Sequence, residues 1–183
     1  MTIRRYVIRT LWRVPGTIPE VIAVLDDVEA LPLWWPSVYL TADLVSSGDD
    51  DGVGRVVKLC TKGWLPYTLR WTSTLTEPLT SHGFALAARG DMTGSGRWTF
   101  EQDGPEVVLE FEWDISATKP LIRRLDRLIK PLFVTNHRWA MARGEESLRL
   151  ELRRRRAVAA QVTGIPSPPP PTFRFVTRLL ARS

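Results

Sequence analysis

The chain has 183 residues, a mass of 20.8 kDa and 44% hydrophobic residues, enough for one domain with a sizeable core. A single cysteine, Cys60, and two histidines exclude an internal disulfide, a thiolate metal cluster and an ordinary structural zinc site. The net charge of +5 is uneven, because residues 149–183 carry eight Arg and one acid whereas residues 1–148 carry 17 basic and 19 acidic residues.

The longest basic run, Arg153–Arg156, closes a predicted helix, where cations oppose the macrodipole, so nucleic acid is not expected as a partner. No apolar stretch approaches the ~18 residues of a membrane span. Arg9 and Arg13 interrupt the apolar N-terminal run, which argues against a secretory signal and makes the cytoplasm the expected location.

Residues 3–14 are rich in β-branched and aromatic side chains and stop at Pro15-Gly16, which predicts a strand. Thr17 is a helix N-cap, with Glu20 completing a capping box, and Ile18, Val21, Ile22 and Leu25 share one helical face. A short helical turn near Val28–Leu31 is expected to stop at Pro32. The segment Leu31–Val38 (LPLWWPSV) reads as an irregular corner anchored by two tryptophans.

Six further strands are predicted at 39–47, 53–62, 67–77, 83–90, 95–102 and 106–118, separated by Gly, Asp and Pro turn signals. Tyr67, Leu69, Trp71 and Leu75 alternate with Thr68, Arg70, Thr72, Thr74 and Thr76. Likewise Val107, Leu109, Phe111, Trp113 and Ile115 oppose Val108, Glu110, Glu112 and Asp114. A sheet with one dry and one wet face is antiparallel and needs a cover.

The cover follows in the chain. Residues 119–130 predict a helix ending or kinking at Pro131, and 132–155 a long helix. Phe133, His137, Ala140, Met141, Gly144 and Leu148 form its apolar stripe. The fold class is therefore α+β, one curved sheet gripping a C-terminal helix. Residues 1–156 form the domain, and 157–183 a Pro-rich linker followed by a short basic amphipathic helix over Thr172–Ser183.

Familiar catalytic patterns are missing. The chain has no GxSxG, Walker loop, dinucleotide fingerprint or HExxH, so neither a cofactor nor a metal is expected. Cys60, in an apolar strand, reads as a buried inert thiol. Gly90-Asp91 with Gly94-Ser95-Gly96 reads as a hairpin with glycines at positive φ. Arg70, Glu110, Glu112 and Asp114 read as surface charges of the sheet. His137 reads first as a hydrogen-bonded core residue; the alternative is contact with a ligand or acid–base work, since an imidazole titrates near neutrality. Asn136, the only Asn, lies toward the stripe's edge. Tyr67, Trp71, Phe84, Trp98, Phe100, Phe111 and Trp113 are placed to line the concave sheet face. They either interdigitate into a solid core or wall an apolar pocket, and periodicity leaves both readings open.

The element order and several phrases resemble the START-like SRPBCC superfamily, in particular its bacterial polyketide cyclase/dehydrase and lipid-transport-like members. The phrases are Leu31-Pro32-Leu33-Trp34-Trp35-Pro36, Gly52-Val53-Gly54-Arg55, Trp64–Trp71, Gly90–Trp98 and Asn136-His137-Arg138-Trp139-Ala140-Met141, within residues 3–156. The resemblance implies a helix-grip fold, a seven-stranded antiparallel sheet around a long C-terminal helix with an apolar cavity between them. It also implies hydrophobic ligands such as lipids or polyketides, and in some members cyclisation, dehydration or hydrolysis. It carries no catalytic residue onto this chain.

The leading expectation is a cytoplasmic protein that binds a hydrophobic small molecule. Tyr67, Trp71, Phe84, Trp98, Phe111, Trp113 and Met141 form the wall, and Asn136 and His137 the polar contacts. The alternative is an aromatase/cyclase or dehydratase with His137 as the weak catalytic candidate. A third reading docks the basic tail on an anionic membrane surface for lipid transfer, against a tail that packs back on the body or stays disordered. An exposed apolar patch at Trp34 and Trp35 would predict a homodimer.

Overall fold

The structure, a computed structural model, describes residues 6–117, 126–161 and 163–172. Seven strands form one antiparallel sheet: β1 (Tyr6–Pro15), β2 (Tyr39–Ser46), β3 (Val56–Lys62), β4 (Thr68–Thr80), β5 (Gly83–Gly90), β6 (Met92–Asp103) and β7 (Glu106–Ala117). Their order is β1-β7-β6-β5-β4-β3-β2, so every neighbour except the β1–β7 pair is also a neighbour in sequence. The dry face follows the expected period of two. Trp98 sits opposite Phe111 and Phe100 opposite Leu109, while the flanking Arg97 and Glu112 face outward as partners.

Between β1 and β2 lie α1 (Ile18–Leu25), a 3-10 turn (Val28–Ala30) and α2 (Leu31–Trp34). The backbone N–H of Thr17 donates to Glu20 Oε2 at 2.8 Å, as the capping box predicted. The LPLWWPSV corner is more regular than expected, because Pro32 falls in the first turn of α2, where a missing N–H costs nothing. Trp34 and Trp35 are 2% and 5% exposed, so the surface patch considered from the sequence is not there.

Three boundaries among these strands differ by three residues from the expected ones, and others by one. β3 starts at Val56 instead of residue 53, because Asp49 Oδ1 accepts the N–H groups of Asp51 and Val53 at 3.1 and 2.8 Å and prolongs the turn. β4 runs through Glu77-Pro78 to Thr80, its register shifting at Glu77, and a proline at such an irregularity breaks no regular ladder. β6 starts at Met92, so Gly94-Ser95-Gly96 is strand and Asp91 alone lies between β5 and β6. Gly96 is there for room: a Cβ on it would lie 2.7 Å from the Trp113 ring.

The cover is α3 (Asp126–Ala159), a single helix that continues through Pro131, where the sequence predicted an end or a kink. A proline costs a helix interior roughly 3 kcal/mol, set against the contacts that this helix makes with β1, α1 and α2. Gly144 lets that helix approach closely, for a Cβ there would lie 2.3 Å from Trp35 and 2.6 Å from Trp12. The end of α3 is bolted down. Arg156 donates to Glu20 at 2.6 and 2.8 Å, Arg155 to the Ala23 carbonyl at 2.8 Å, and Arg154 and Arg155 both pair with the buried Glu151. The basic run thus serves intramolecular contacts, beyond any role against the macrodipole.

Residues 163–172 leave α3 without helix or strand and reach the start of the β3–β4 loop. There Thr172 Oγ1 donates to the Gly63 carbonyl at 3.3 Å, and the Lys62 ammonium donates to the Thr172 carbonyl. Of the helix expected over Thr172–Ser183, residues 173–183 lie outside the described residues, as does most of the helix expected at 119–130.

Candidate functional site

The dry face of the sheet carries a run of stacked rings across β5, β6 and β7. Phe84 stacks on Trp98 at 6.4 Å, Trp98 on Phe111 at 4.4 Å and Phe111 on Trp113 at 5.4 Å, with interplanar angles of 23°, 22° and 28°. Such offset stacks are worth about 1 kcal/mol each beyond area burial. They also decide how full the interior is, since rings stacked side by side cannot also reach across to the helix.

What remains between rings and helix is an apolar cavity of about 130 Å³. Trp71, Trp98, Phe111 and Trp113 form its floor, Ala140 and Met141 of α3 its roof, and Trp35, Val38 and Tyr39 one side. A second space of about 100 Å³ lies on the other side of Trp35, Trp71 and Trp98, where Phe84, Leu59 and Val57 take over. An apolar cavity of ~150 Å³ holds one benzene. The interior is therefore neither solid nor wide: the first space is on the scale of a single ring, and Trp35, Trp71 and Trp98 border both spaces.

Four polar side chains border the first space: Thr61, Lys62, Asn136 and His137. Thr61 is spoken for, because Trp71 Nε1 donates to its hydroxyl at 3.1 Å and the hydroxyl donates onward to the Leu69 carbonyl at 3.4 Å. Asn136 is 8% exposed and accepts the Leu65 N–H at 3.4 Å, and its amide fills the space over Gly63 so closely that a Cβ there would lie 2.0 Å from Oδ1. It holds the β3–β4 loop against α3. His137 is different. Its Nε2 is buried and has no hydrogen-bond partner. Burial with no compensating charge lowers its pKa from 6.5 to about 4, so the ring is neutral at pH 7.

Lys62 is 5% exposed, and burial lowers its pKa as well. Tyr39, partly buried against the core, has its phenol pushed well above the ordinary value by the same cause.

Of the residues expected in the site, Trp71, Trp98, Phe111, Trp113, Asn136, His137 and Met141 border the first space. Phe84 borders the second, whereas Tyr67, expected in the wall, packs half-buried against the core and lines neither space. Sequence reasoning missed Trp35, Tyr39 and Lys62. Trp35 was read as an anchor of the corner between α1 and β2, with no role in the cavity. No local pattern reveals that residues 163–172 cover Lys62.

Solved structures of low sequence identity share the fold. A START superfamily protein from Mycobacterium smegmatis superposes with a TM-score of 0.66 at 14% identity, covering 81% of this chain and 97% of the other. The aromatase/cyclase ZhuI from Streptomyces sp. R1128 gives 0.60 at 16% identity, with 85% and 98% covered. Norcoclaurine synthase from Thalictrum flavum, solved as a point mutant with a transition state analogue, gives 0.55 at 15% identity, with 84% and 99% covered. No curated protein matches the chain in sequence. Among the described residues no helix is long and apolar enough to cross a membrane. The sequence model of one family, described as polyketide cyclase/dehydrase and lipid transport, matches residues 12–163. With the sheet closed around α3 as in a helix grip, the chain belongs to that family.

Proposed function

We propose that the protein binds a small hydrophobic molecule, ring-bearing and with at least one hydrogen-bonding group, in the cavity between the sheet and α3. The observation that carries this reading is the pairing of an aromatic-floored space of about 130 Å³ with the buried, unpartnered Nε2 of His137 at its edge. A buried polar atom without a partner costs roughly 1–3 kcal/mol. A ligand hydroxyl or carbonyl meeting Nε2 removes that cost, while the rings supply about 25 cal/mol per Å² of apolar area covered.

A cyclase or dehydratase reading draws support from the family description and from the neighbouring aromatase/cyclase. One observation weighs against His137 as its acid–base group. An imidazole held near pKa 4 is a weak base at neutral pH, and efficient proton transfer favours a group matched to the working pH. Binding is the function the geometry supports best. Membrane docking by the basic run has less support, since Arg154, Arg155 and Arg156 are engaged with Glu151 and Glu20.

Native mass spectrometry of the purified protein, with extraction of co-purifying molecules, tests the reading. A bound hydrophobe lost in Met141→Asp, with the fold intact by circular dichroism, is the expected result. Equal retention by Met141→Asp overturns the placement.

A further inference from the structure

Residues 163–172 read as a linker in the sequence, yet the structure gives them a course and a face. After α3 the chain turns back at Gln161 and Gly164, whose φ angles are 56° and 92°. It comes to rest beside the other half of the helix, because Thr172 Oγ1 donates to the Gly63 carbonyl at 3.3 Å and the Asn136 amide of α3 lies against Gly63. From Asn136 to Ala159 the helix rises about 35 Å at 1.5 Å per residue. From Gln161 to Thr172 a polyproline II chain spans about 34 Å at 3.1 Å per residue, so the segment runs back along α3 with little slack. Pro166 and Pro168–Pro171 favour that conformation, which needs no internal hydrogen bonds. Burial shows its period of three: Ile165, Pro168 and Pro171 are half-buried, whereas Ser167 and Pro170 are exposed. The landing point is the edge of the first space, since both Lys62, whose ammonium donates to the Thr172 carbonyl, and Gly63 border it.

We propose that residues 163–172 are a strap across the mouth of the cavity, and that release of Thr172 from Lys62 and Gly63 sets the rate at which a ligand enters and leaves. The inference rests on the binding reading above and adds the regulation of that site. Trp71, Trp98, Phe111 and Trp113 below and Met141 above are buried, which leaves the edge at Lys62 and Gly63 as the way in. Preordered prolines hold Thr172 on that edge at little entropic cost. A Gly-rich chain of the same length has an r.m.s. end-to-end distance of only about 18 Å, well short of the span. Stiffness therefore keeps the mouth closed. None of residues 163–172 lines the space itself, so the strap acts on rates and leaves affinity almost untouched.

The test follows 3-nitrophenol, a single ring whose hydroxyl stays largely uncharged at pH 7, by stopped-flow quenching of tryptophan fluorescence in the full chain. A variant combining Pro168→Gly, Pro169→Gly, Pro170→Gly and Pro171→Gly slackens the strap without touching the cavity. Its association and dissociation rate constants are both expected to rise about tenfold with Kd little changed, the factor that freeing one or two hydrogen bonds gives. Ser167→Pro, at an exposed position, keeps the native rates. Binding by the glycine variant while the native chain stays inert also supports the strap. Equal rates in the two chains overturn the inference and leave the binding reading standing. So does a change in dissociation alone, which marks a wall and not a gate. If the glycine variant loses its thermal transition, a Gly-Ser-Gly-Ser insertion after Ser167 gives the same readout. If neither chain binds the probe, the inference and the binding reading fall together.

Discussion

The two halves of α3 are built to different ends. Its N-terminal half presents Asn136, His137, Ala140 and Met141 to a cavity, and leaves the His137 Nε2 without a partner. Its C-terminal half borders no cavity and is packed tightly, although the buried Ser147 Oγ there also has no hydrogen-bond partner. Leu148 and Leu152 are 0% and 2% exposed. Arg149 donates twice to the Arg13 carbonyl, at 2.9 and 2.6 Å, and Glu145 accepts the Arg13 N–H at 3.0 Å. Gly144 marks the border, wedged between Trp12 and Trp35. The lesson is a division of labour along one helix, in which tight packing at one end holds a strained, partly hollow site at the other. Unsatisfied polar groups persist only where the surrounding structure over-determines the fold.

The comparison breaks first at Leu148. Leu148→Ala is expected to cost about 3 kcal/mol in chemical denaturation, the usual penalty for emptying a fully buried site. It leaves ligand affinity of the folded protein unchanged, because the cavity lies at the other half. Lost affinity at full folding would mean that the two halves are not separable.

His137 sharpens the contrast through pH. The unfolded chain takes up a proton near pH 6.5, whereas the folded ring resists it down to about pH 4. Its folded pKa is depressed, so stability is complete above pH 6.5 and is lost progressively as pH falls to about 4. The loss is on the order of 3 kcal/mol. His137→Leu flattens that part of the curve, as thermal melts across the window should show. A bound ligand accepting or donating at Nε2 adds more stability in the native protein than in this variant.

The smallest effect belongs to the clamp. Arg156 beside Glu20 lowers the Glu20 carboxyl from 4.5 to about 2. Its contribution is present above pH 4.5 and disappears as pH falls through about 2, a window lying below that of His137. The pair is partly exposed, with side chains 43% and 37% accessible, so Glu20→Gln costs less than about 1 kcal/mol at pH 7. Urea titrations of the variant at pH 3 and pH 7 should differ less than those of the native chain.

The residues themselves make plain why much was legible beforehand. Alternation along β4, β6 and β7 places Trp71, Trp98, Phe111 and Trp113 on one face, because the pleat has a period of two whatever it packs against. The capping box at Thr17 and Glu20 is equally local. Boundaries failed where a contact distant in sequence overrode a local signal. Gly96 signals a turn alone, but beside Trp113 it gives room; Pro131 signals a break alone, but α3 is held to the sheet beyond it.

The sequence by itself determined the order of the elements, the helix grip, the aromatic dry face and the presence of His137 on the helix stripe. Each of these depends on period, propensity or capping over a few residues. Only the tertiary structure decided that the rings stack sideways and leave a space, that Asn136 is spent on the β3–β4 loop, and that the His137 Nε2 has no partner. It also decided that a lysine at a strand end is enclosed by a segment more than 100 residues further along, Thr172 lying 110 positions after Lys62. Volume, satisfaction and enclosure belong to contacts between distant residues, and no local pattern encodes them.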